Sequence, residues 1–274
     1  FDLVKNIFNQ ADNKLNYPIS KIILNGPENE LQLTKNTQPA ILTVSYSIFK
    51  VLKDEFNFDF SSFKYFAGHS LGEYSALVCS DSLNFNDALY LLHERGKAMQ
   101  EAVPIGKGKM IAILGIKTEE IINIFKTIET VEGICQIAND NAEGQIIVSG
   151  NKEKVELLQN ILKEKKIKSI PLKVSAPFHC SLMKPAAVIM KDKIKKTNFK
   201  NPIFKIINNV TANPETDSEN IKELLVKQIF STVKWRDSII NMSKTGVKNF
   251  VEIGPGKVLT GMVKRTIKQA NYFS

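Results

Sequence analysis

Apolar residues recur at helical spacing from the first residues of the chain, with Leu3, Val4, Ile7, Phe8 and Ala11 on one face over 1–13. Pro27 and the polar residues after it predict a loop. Thr37-Gln38-Pro39 then predicts the start of a long apolar helix running through Leu52, with Pro39 in its first turn. A short strand over 64–67 leads straight into Gly68, and a helix follows over 72–79. The next helix is expected to start at Asn86 as its cap and to run to about Val103. Its apolar stripe is Ala88, Leu92 and Met99. Arg95 falls on that same stripe, because the residues from 88 to 99 are spaced four, three and four apart.

From Gly106 the periodicity changes. A strand over 110–116 and a helix over 119–128 come first, then strands over 134–138 and 145–150 joined by a polar loop from Asn139 to Gly144. An amphipathic helix over 152–165 and a strand over 168–174 complete a β-α-β-β-α-β order, the split-βαβ or ferredoxin-like arrangement. After 174 the α/β pattern resumes: a helix after His179, a strand over 203–207, helices over 224–229 and 237–242, and a strand over 249–253. Gly254-Pro255-Gly256 turns the chain into a last helix. The fold class is therefore α/β, with residues 106–174 as a subdomain inserted between 1–105 and 175–274.

Composition narrows the setting. At 274 residues, 43% hydrophobic and 24% charged, the chain can bury a full-sized core. Its longest apolar runs, such as 110–114, are far too short to span a bilayer, and no basic-then-apolar leader opens it, so neither a membrane nor export is expected. Cys79, Cys135 and Cys180 form no CxxC pair and no metal spacing; they read as small buried residues with free thiols in a cytoplasmic protein. The net charge of +9 would steer an anionic partner. Nucleic acid is not expected, since no basic–aromatic module occurs.

The chemistry concentrates in Gly68-His69-Ser70-Leu71-Gly72. Glycine-flanked serine between a strand and a helix is the nucleophile elbow, in which the tight turn lifts the hydroxyl clear of the sheet. The five-residue pattern alone is a weak signal, and its strand–helix context strengthens it. Leu71 N–H is the natural first donor of an oxyanion hole. A serine needs a base, and the only imidazoles are His69, His93 and His179. His69 should point away from Ser70, and His93 reads as a half-buried structural residue. His179, in an irregular stretch after the subdomain, is the favoured base. Arg95 cannot shed its charge on an apolar stripe, so it either pairs with an internal Asp or Glu or holds a carboxylate on the acyl group.

The segments GHSLGEYSALV, RGKAMQEAVP, PFHCSLMKPA and VEIGPGKVLTGMVKR, in this order and spacing along the whole chain, resemble the malonyl-CoA:acyl-carrier-protein transacylases of bacterial fatty-acid synthesis. The resemblance implies an α/β-hydrolase-like core with a parallel sheet plus the ferredoxin-like subdomain. It implies Ser70 as the acylated nucleophile, His179 as its base and Arg95 as the ligand of the malonyl carboxylate. It also implies that the backbone carbonyl of Gln228 holds the histidine ring in place of an aspartate; without it, Gln228 reads as a helix-surface residue. A Phe just before the histidine, here Phe178, goes with malonyl over methylmalonyl selection. Malonyl-CoA and acyl carrier protein are the implied partners; a monomer is expected, with no metal or cofactor. The family also opens with a strand and a Gly-Gln-Gly-Ser-Gln loop that gives the second oxyanion N–H. That motif does not occur in this sequence, and truncation is the simplest account of the departure. Two rivals stay open: a serine esterase or thioesterase, which would not need Arg95, and an inactive carrier-binding relative.

Overall fold

Helical periodicity in the first fifty residues produces four helices where two are expected. The computed structural model describes residues 1–274, and they open with α1 (Asp2–Leu15), α2 (Ile19–Asn25), α3 (Glu28–Gln32) and α4 (Thr34–Lys50), the last extended by a π-helical turn, Val51–Glu55. α4 begins three residues before Thr37, so Pro39 sits inside it and not in the first turn. Proline there removes the amide that would bond the Lys35 carbonyl. His93 Nδ1 takes up that carbonyl instead, at 3.1 Å, which gives His93 a structural task in keeping with its sequence reading.

β1 (Tyr65–Ala67) and α5 (Gly72–Cys79) flank the elbow, and α6 (Phe85–Glu101) follows. The cap of α6 is Asn84, whose side chain accepts from Asn86 N at 2.8 Å, so the expected cap is off by two positions. α4 and α6 pack closely because Gly96 has no side chain; a β-carbon there would come within 2.5 Å of the Thr34 carbonyl oxygen.

The middle of the chain runs β2 (Gly108–Leu114), α7 (Thr118–Thr127), β3 (Cys135–Ala142), β4 (Gln145–Asn151), α8 (Lys152–Glu164) and β5 (Lys168–Pro171). Its strands form one antiparallel sheet in the order β3-β4-β2-β5, the order of the split-βαβ unit. Ile111, Ile113, Val148 and Leu158 help form its own core. The expected polar loop at 139–144 is mostly strand: Asn139, Asp140 and Asn141 lie on β3, buried, with a register shift on either side. Each has a partner outside the sheet. Asn139 bridges to Val233, Asp140 pairs with Arg236, and Asn141 Oδ1 accepts from His69 Nε2.

The chain then returns through a 3₁₀ turn at Ser181–Met183 to α9 (Lys184–Lys196), β6 (Lys205–Ile207), β7 (Pro214–Glu215), α10 (Ser218–Gln228), α11 (Trp235–Lys244), β8 (Asn249–Val251), α12 (Val258–Thr266) and β9 (Asn271–Phe273). β1 pairs parallel with β6, β7 adds an antiparallel edge, and β8 pairs parallel with β9. The architecture is α/β with mixed sheets. β1 and β8 are not bonded to each other; a largely apolar cavity of about 740 Å³ lined by both lies between them. The largest core cluster joins α1, α4, α5, α6, α9 and α10, and the elbow stands at its edge.

Candidate active site

The elbow is built by steric exclusion. Ser70 is held at φ 51°, in the left-handed region, where a non-glycine residue costs on the order of 1–3 kcal/mol. Gly68 allows the turn to close: a β-carbon there would overlap the Gly72 carbonyl. Asn209 pins the turn from outside, with Ser70 N–H donating to its Oδ1 at 2.7 Å and its Nδ2 donating to the Gly68 carbonyl at 2.8 Å. Gly72, Glu73 and Tyr74 amides all find backbone acceptors. Leu71 N–H finds none, which leaves it free to face an oxyanion at the head of α5.

Ser70 Oγ lies 2.8 Å from His179 Nε2, and His179 Nδ1 lies 2.9 Å from the Gln228 carbonyl oxygen. A backbone carbonyl only accepts, so the ring proton sits on Nδ1 and Nε2 is bare. The serine hydroxyl therefore donates to Nε2, the geometry a general base needs. His179 is 5% exposed, and burial first, then the nearby Arg95 charge, pushes it down to about 3. The imidazole is neutral across the physiological range.

Gln228 corrects its sequence reading. It is the last residue of α10 and fully buried. Beyond the carbonyl, its side chain donates to the Ser70 carbonyl at 3.0 Å and to Glu73 Oε2 at 2.8 Å, and accepts from Arg95 Nη2 at 2.9 Å. Periodicity could not reveal this, because a polar residue at a helix end is ordinarily solvated.

Arg95 is 1% exposed, and no carboxylate pairs with it. Its Nη1 donates to Gln38 Oε1 at 2.6 Å, and its Nη2 donates to Gln228 Oε1 and to Ser70 Oγ, the latter at 3.1 Å. Nε has no acceptor. Of the two alternatives on the sequence, the structural salt bridge is excluded, and a guanidinium with spare donors stands beside the nucleophile. Gln38, buried on α4, is a site residue that sequence reasoning missed; its only cue was a glutamine inside an apolar helix.

Glu73 is a second missed residue. It is fully buried on α5, three residues after Ser70, and accepts from Asn208 Nδ2 at 2.6 Å, from Asn209 N at 3.1 Å and from Gln228 Nε2. Desolvation raises its carboxyl to about 7, with the three donors and Arg95 opposing.

The remaining expected residues fall nearby. His69 points away from Ser70, 2.8 Å from Asn141 Oδ1 and edge-on to Trp235. The half-buried Phe178 ring packs on Met110, Ala112, Ala138 and Ile147. A cavity of about 400 Å³ opens at His179, with walls from Ile137, Val210, Phe230 and Thr232. Its mixture of apolar and polar atoms could take an extended, amide-bearing arm. The three cysteines are free, Cys180 buried and the others half-buried.

The model of the acyl transferase domain family matches residues 4–274. The malonyl CoA-acyl carrier protein transacylase of Bacillus subtilis (strain 168) is 43% identical over 263 residues, 95% of this chain and 81% of that protein. The crystal structure of an acyl-carrier-protein-S-malonyltransferase from Bartonella henselae superposes with a TM-score of 0.96 at 40% identity, covering 100% of this chain and 87% of that one. A malonyl-transacylase in complex with its type II PKS acyl-carrier protein superposes at 0.94 with 38% identity, covering 99% of this chain and 87% of that one.

Proposed function

The chain belongs to the malonyl CoA-acyl carrier protein transacylase family, and from that premise we propose that it moves a malonyl group from malonyl-CoA to acyl carrier protein through an ester on Ser70. The observation that carries the chemistry is the Ser70–His179–Gln228 relay with Arg95 set on the same hydroxyl.

In the first half-reaction His179 Nε2 takes the Ser70 proton as Oγ attacks the thioester carbonyl carbon. Leu71 N–H donates to the oxyanion. The C–S bond then breaks, and CoA leaves as the thiol after taking the proton from Nε2, which leaves the ring neutral again. In the second half-reaction the same nitrogen takes the proton from the phosphopantetheine thiol of the carrier. The sulfur attacks the ester, the C–O bond breaks, and Ser70 recovers its proton. The Gln228 carbonyl steadies the imidazolium at each stage, the task an aspartate performs in other serine enzymes.

Arg95 Nε and its spare Nη1 hydrogen are the donors available for the malonyl carboxylate. Phe178, next to His179, would crowd a methyl on the α-carbon of the acyl group. Every group the relay needs comes from one chain, so a monomer suffices. We place the reaction in the cytoplasm, in keeping with free cysteines. No helix is long and apolar enough to cross a membrane. We also read residues 106–174 as a subdomain inserted into the catalytic unit of 1–105 and 175–274, supported by its separate sheet and core.

Mixing the protein with malonyl-CoA and measuring intact mass should reveal a malonyl adduct on Ser70 that acyl carrier protein then removes. No adduct would defeat the reading. Arg95→Ala should lose at least about tenfold in malonyl kcat/KM while acetyl transfer holds or rises; equal loss on both would strip Arg95 of its role. Phe178→Ser in the same assay should narrow the malonyl-to-methylmalonyl ratio, and an unchanged ratio removes Phe178 from specificity.

A further inference from the structure

Two buried ionic groups in this site, Glu73 and Arg95, feel each other's charge but make no direct ion pair of the kind burial ordinarily demands. The Glu73 carboxylate meets only an asparagine amide, a backbone N–H and a glutamine amide. The Arg95 guanidinium meets only two glutamine oxygens and a hydroxyl. One group lies between them. The Gln228 amide donates from Nε2 to Glu73 at 2.8 Å and accepts at Oε1 from Arg95 at 2.9 Å. Glu73 meets only donors and so accepts here, the Ser70 carbonyl also accepts from Nε2, and a guanidinium can only donate, so this amide has a single permitted orientation, imposed from both ends. A neutral side chain in place of Glu73 would take the charged acceptor from the Nε2 end and leave it held by the Ser70 carbonyl and, at 3.5 Å, Asn209 Oδ1.

Glu73 also has a second arm. Its bonds to Asn208 and Asn209 hold the turn whose Asn209 side chain pins Ser70 N–H and the Gly68 carbonyl. One carboxylate thus ties the elbow to the arginine through a bonded path on each side. It does so without touching Ser70 Oγ.

We propose that Glu73 is a positioning residue: by fixing the Gln228 amide it holds Arg95 where an acyl carboxylate can reach it, so that selection for carboxylated acyl groups depends on a side chain that contacts no substrate. The inference rests on the reading of Arg95 given above. It adds that the guanidinium alone is not sufficient, since a buried arginine with a loosened neighbour would present its donors in more than one arrangement.

Glu73→Gln tests it with almost no change in volume. The new NH₂ must oppose either Asn208 Nδ2 or the pair Asn209 N and Gln228 Nε2, and in either arrangement the Gln228 amide loses its charged acceptor. Ser70 acylation by malonyl-CoA and by acetyl-CoA would be timed separately in the full-length chain. The expected result is a malonyl kcat/KM lower by about tenfold or more, carried mainly by KM, with a clearly smaller loss in acetyl transfer from the loosened elbow arm, so that the malonyl-to-acetyl ratio falls. Proportional loss on both substrates would mean a purely structural carboxylate and would overturn the proposal, as would no change on either. The unaltered protein is the control that separates the two ideas: if it forms no malonyl-Ser70, the family reading fails first. Should the Glu73→Gln protein not fold, Gln228→Met cuts the same bridge while sparing the backbone carbonyl that holds His179. The malonyl-to-acetyl ratio must then fall in the same direction, and a preserved ratio sinks the proposal.

Discussion

The base in this site is prepared by what its far nitrogen does. With Nδ1–H committed to the Gln228 carbonyl and Arg95 close by, the His179 ring gains nothing from a proton until one arrives from Ser70. Burial holds it down to about 3, against the ordinary imidazole value of 6.5. For a group lowered in this way, the native-state advantage is complete above the unfolded value and is lost as pH falls through the folded one. The same shift governs the kinetics. The acid limb of Ser70 malonylation, normalised to folded protein, should lie well below the pH 6–7 region where a solvated imidazole titrates. A limb centred near 6.5 in stopped-reaction mass measurements would show that the working ring is hydrated and contradict the buried geometry. His179→Ala should slow acylation by about 10²–10⁴ at every pH. Ser70, His179 and Arg95 were visible in the chain because each breaks a pattern: a serine between glycines, a histidine in an irregular stretch, a cation on an apolar stripe. Gln228 and Glu73 break none, and Gln38 does so only as a glutamine inside an apolar helix. They are uncharged or end-of-helix polar positions that only the folded arrangement buries.

At the scale of elements, the site depends on how near α4 can come to α6. Gln38 reaches Arg95 at 2.6 Å because Gly96 lets the start of α4 lie against α6, with Thr34 O and Lys35 Cα within 2.7 Å of where a β-carbon would stand. Gly96→Ala should therefore force the helices apart. Overpacking of this kind costs about 1–3 kcal/mol, which would appear as a lower denaturant midpoint with an unchanged slope. It should also raise KM for malonyl-CoA, because the displaced residue is the neighbour of Arg95; a stability loss with unaltered KM would separate the two. Periodicity located most helices to within a few residues. It erred where a local rule met a tertiary partner. Pro39 reads as a helix start, yet sits inside α4 because His93 satisfies the carbonyl it orphans. Asn139, Asp140 and Asn141 read as a loop, yet extend β3 because each polar group is bonded across to another part of the chain.

Those three β3 residues also decide how the two halves of the molecule meet. Asp140 lies where the four-stranded sheet touches α11, 2.9 Å from Arg236 Nη2 and 3.2 Å from Thr118 Oγ1. The backbone joins in beside it, with Asp140 N–H donating to the Val233 carbonyl and Val233 N–H donating to that of Ala138. His69, one residue from the nucleophile, reaches Asn141 in the same seam, so the seam bears on the elbow as well as on the four-stranded sheet. Desolvation raises the Asp140 carboxyl, Arg236 and Thr118 draw it back, and the Asp237 charge adds to the rise. Arg236→Ala would remove the main opposing group and leave the folded-state value higher still. A group raised on folding contributes its stability below the unfolded value and loses it as pH climbs through the folded one. The deficit of the Arg236→Ala protein should therefore be small near pH 4 and grow toward pH 8, where a carboxylate is buried without its cation. A deficit on the order of 1–3 kcal/mol is expected at the upper end, measured as the difference in urea midpoint at each pH. A deficit independent of pH would mean that Arg236 contributes packing alone, and that the seam is held by the backbone bonds at Val233.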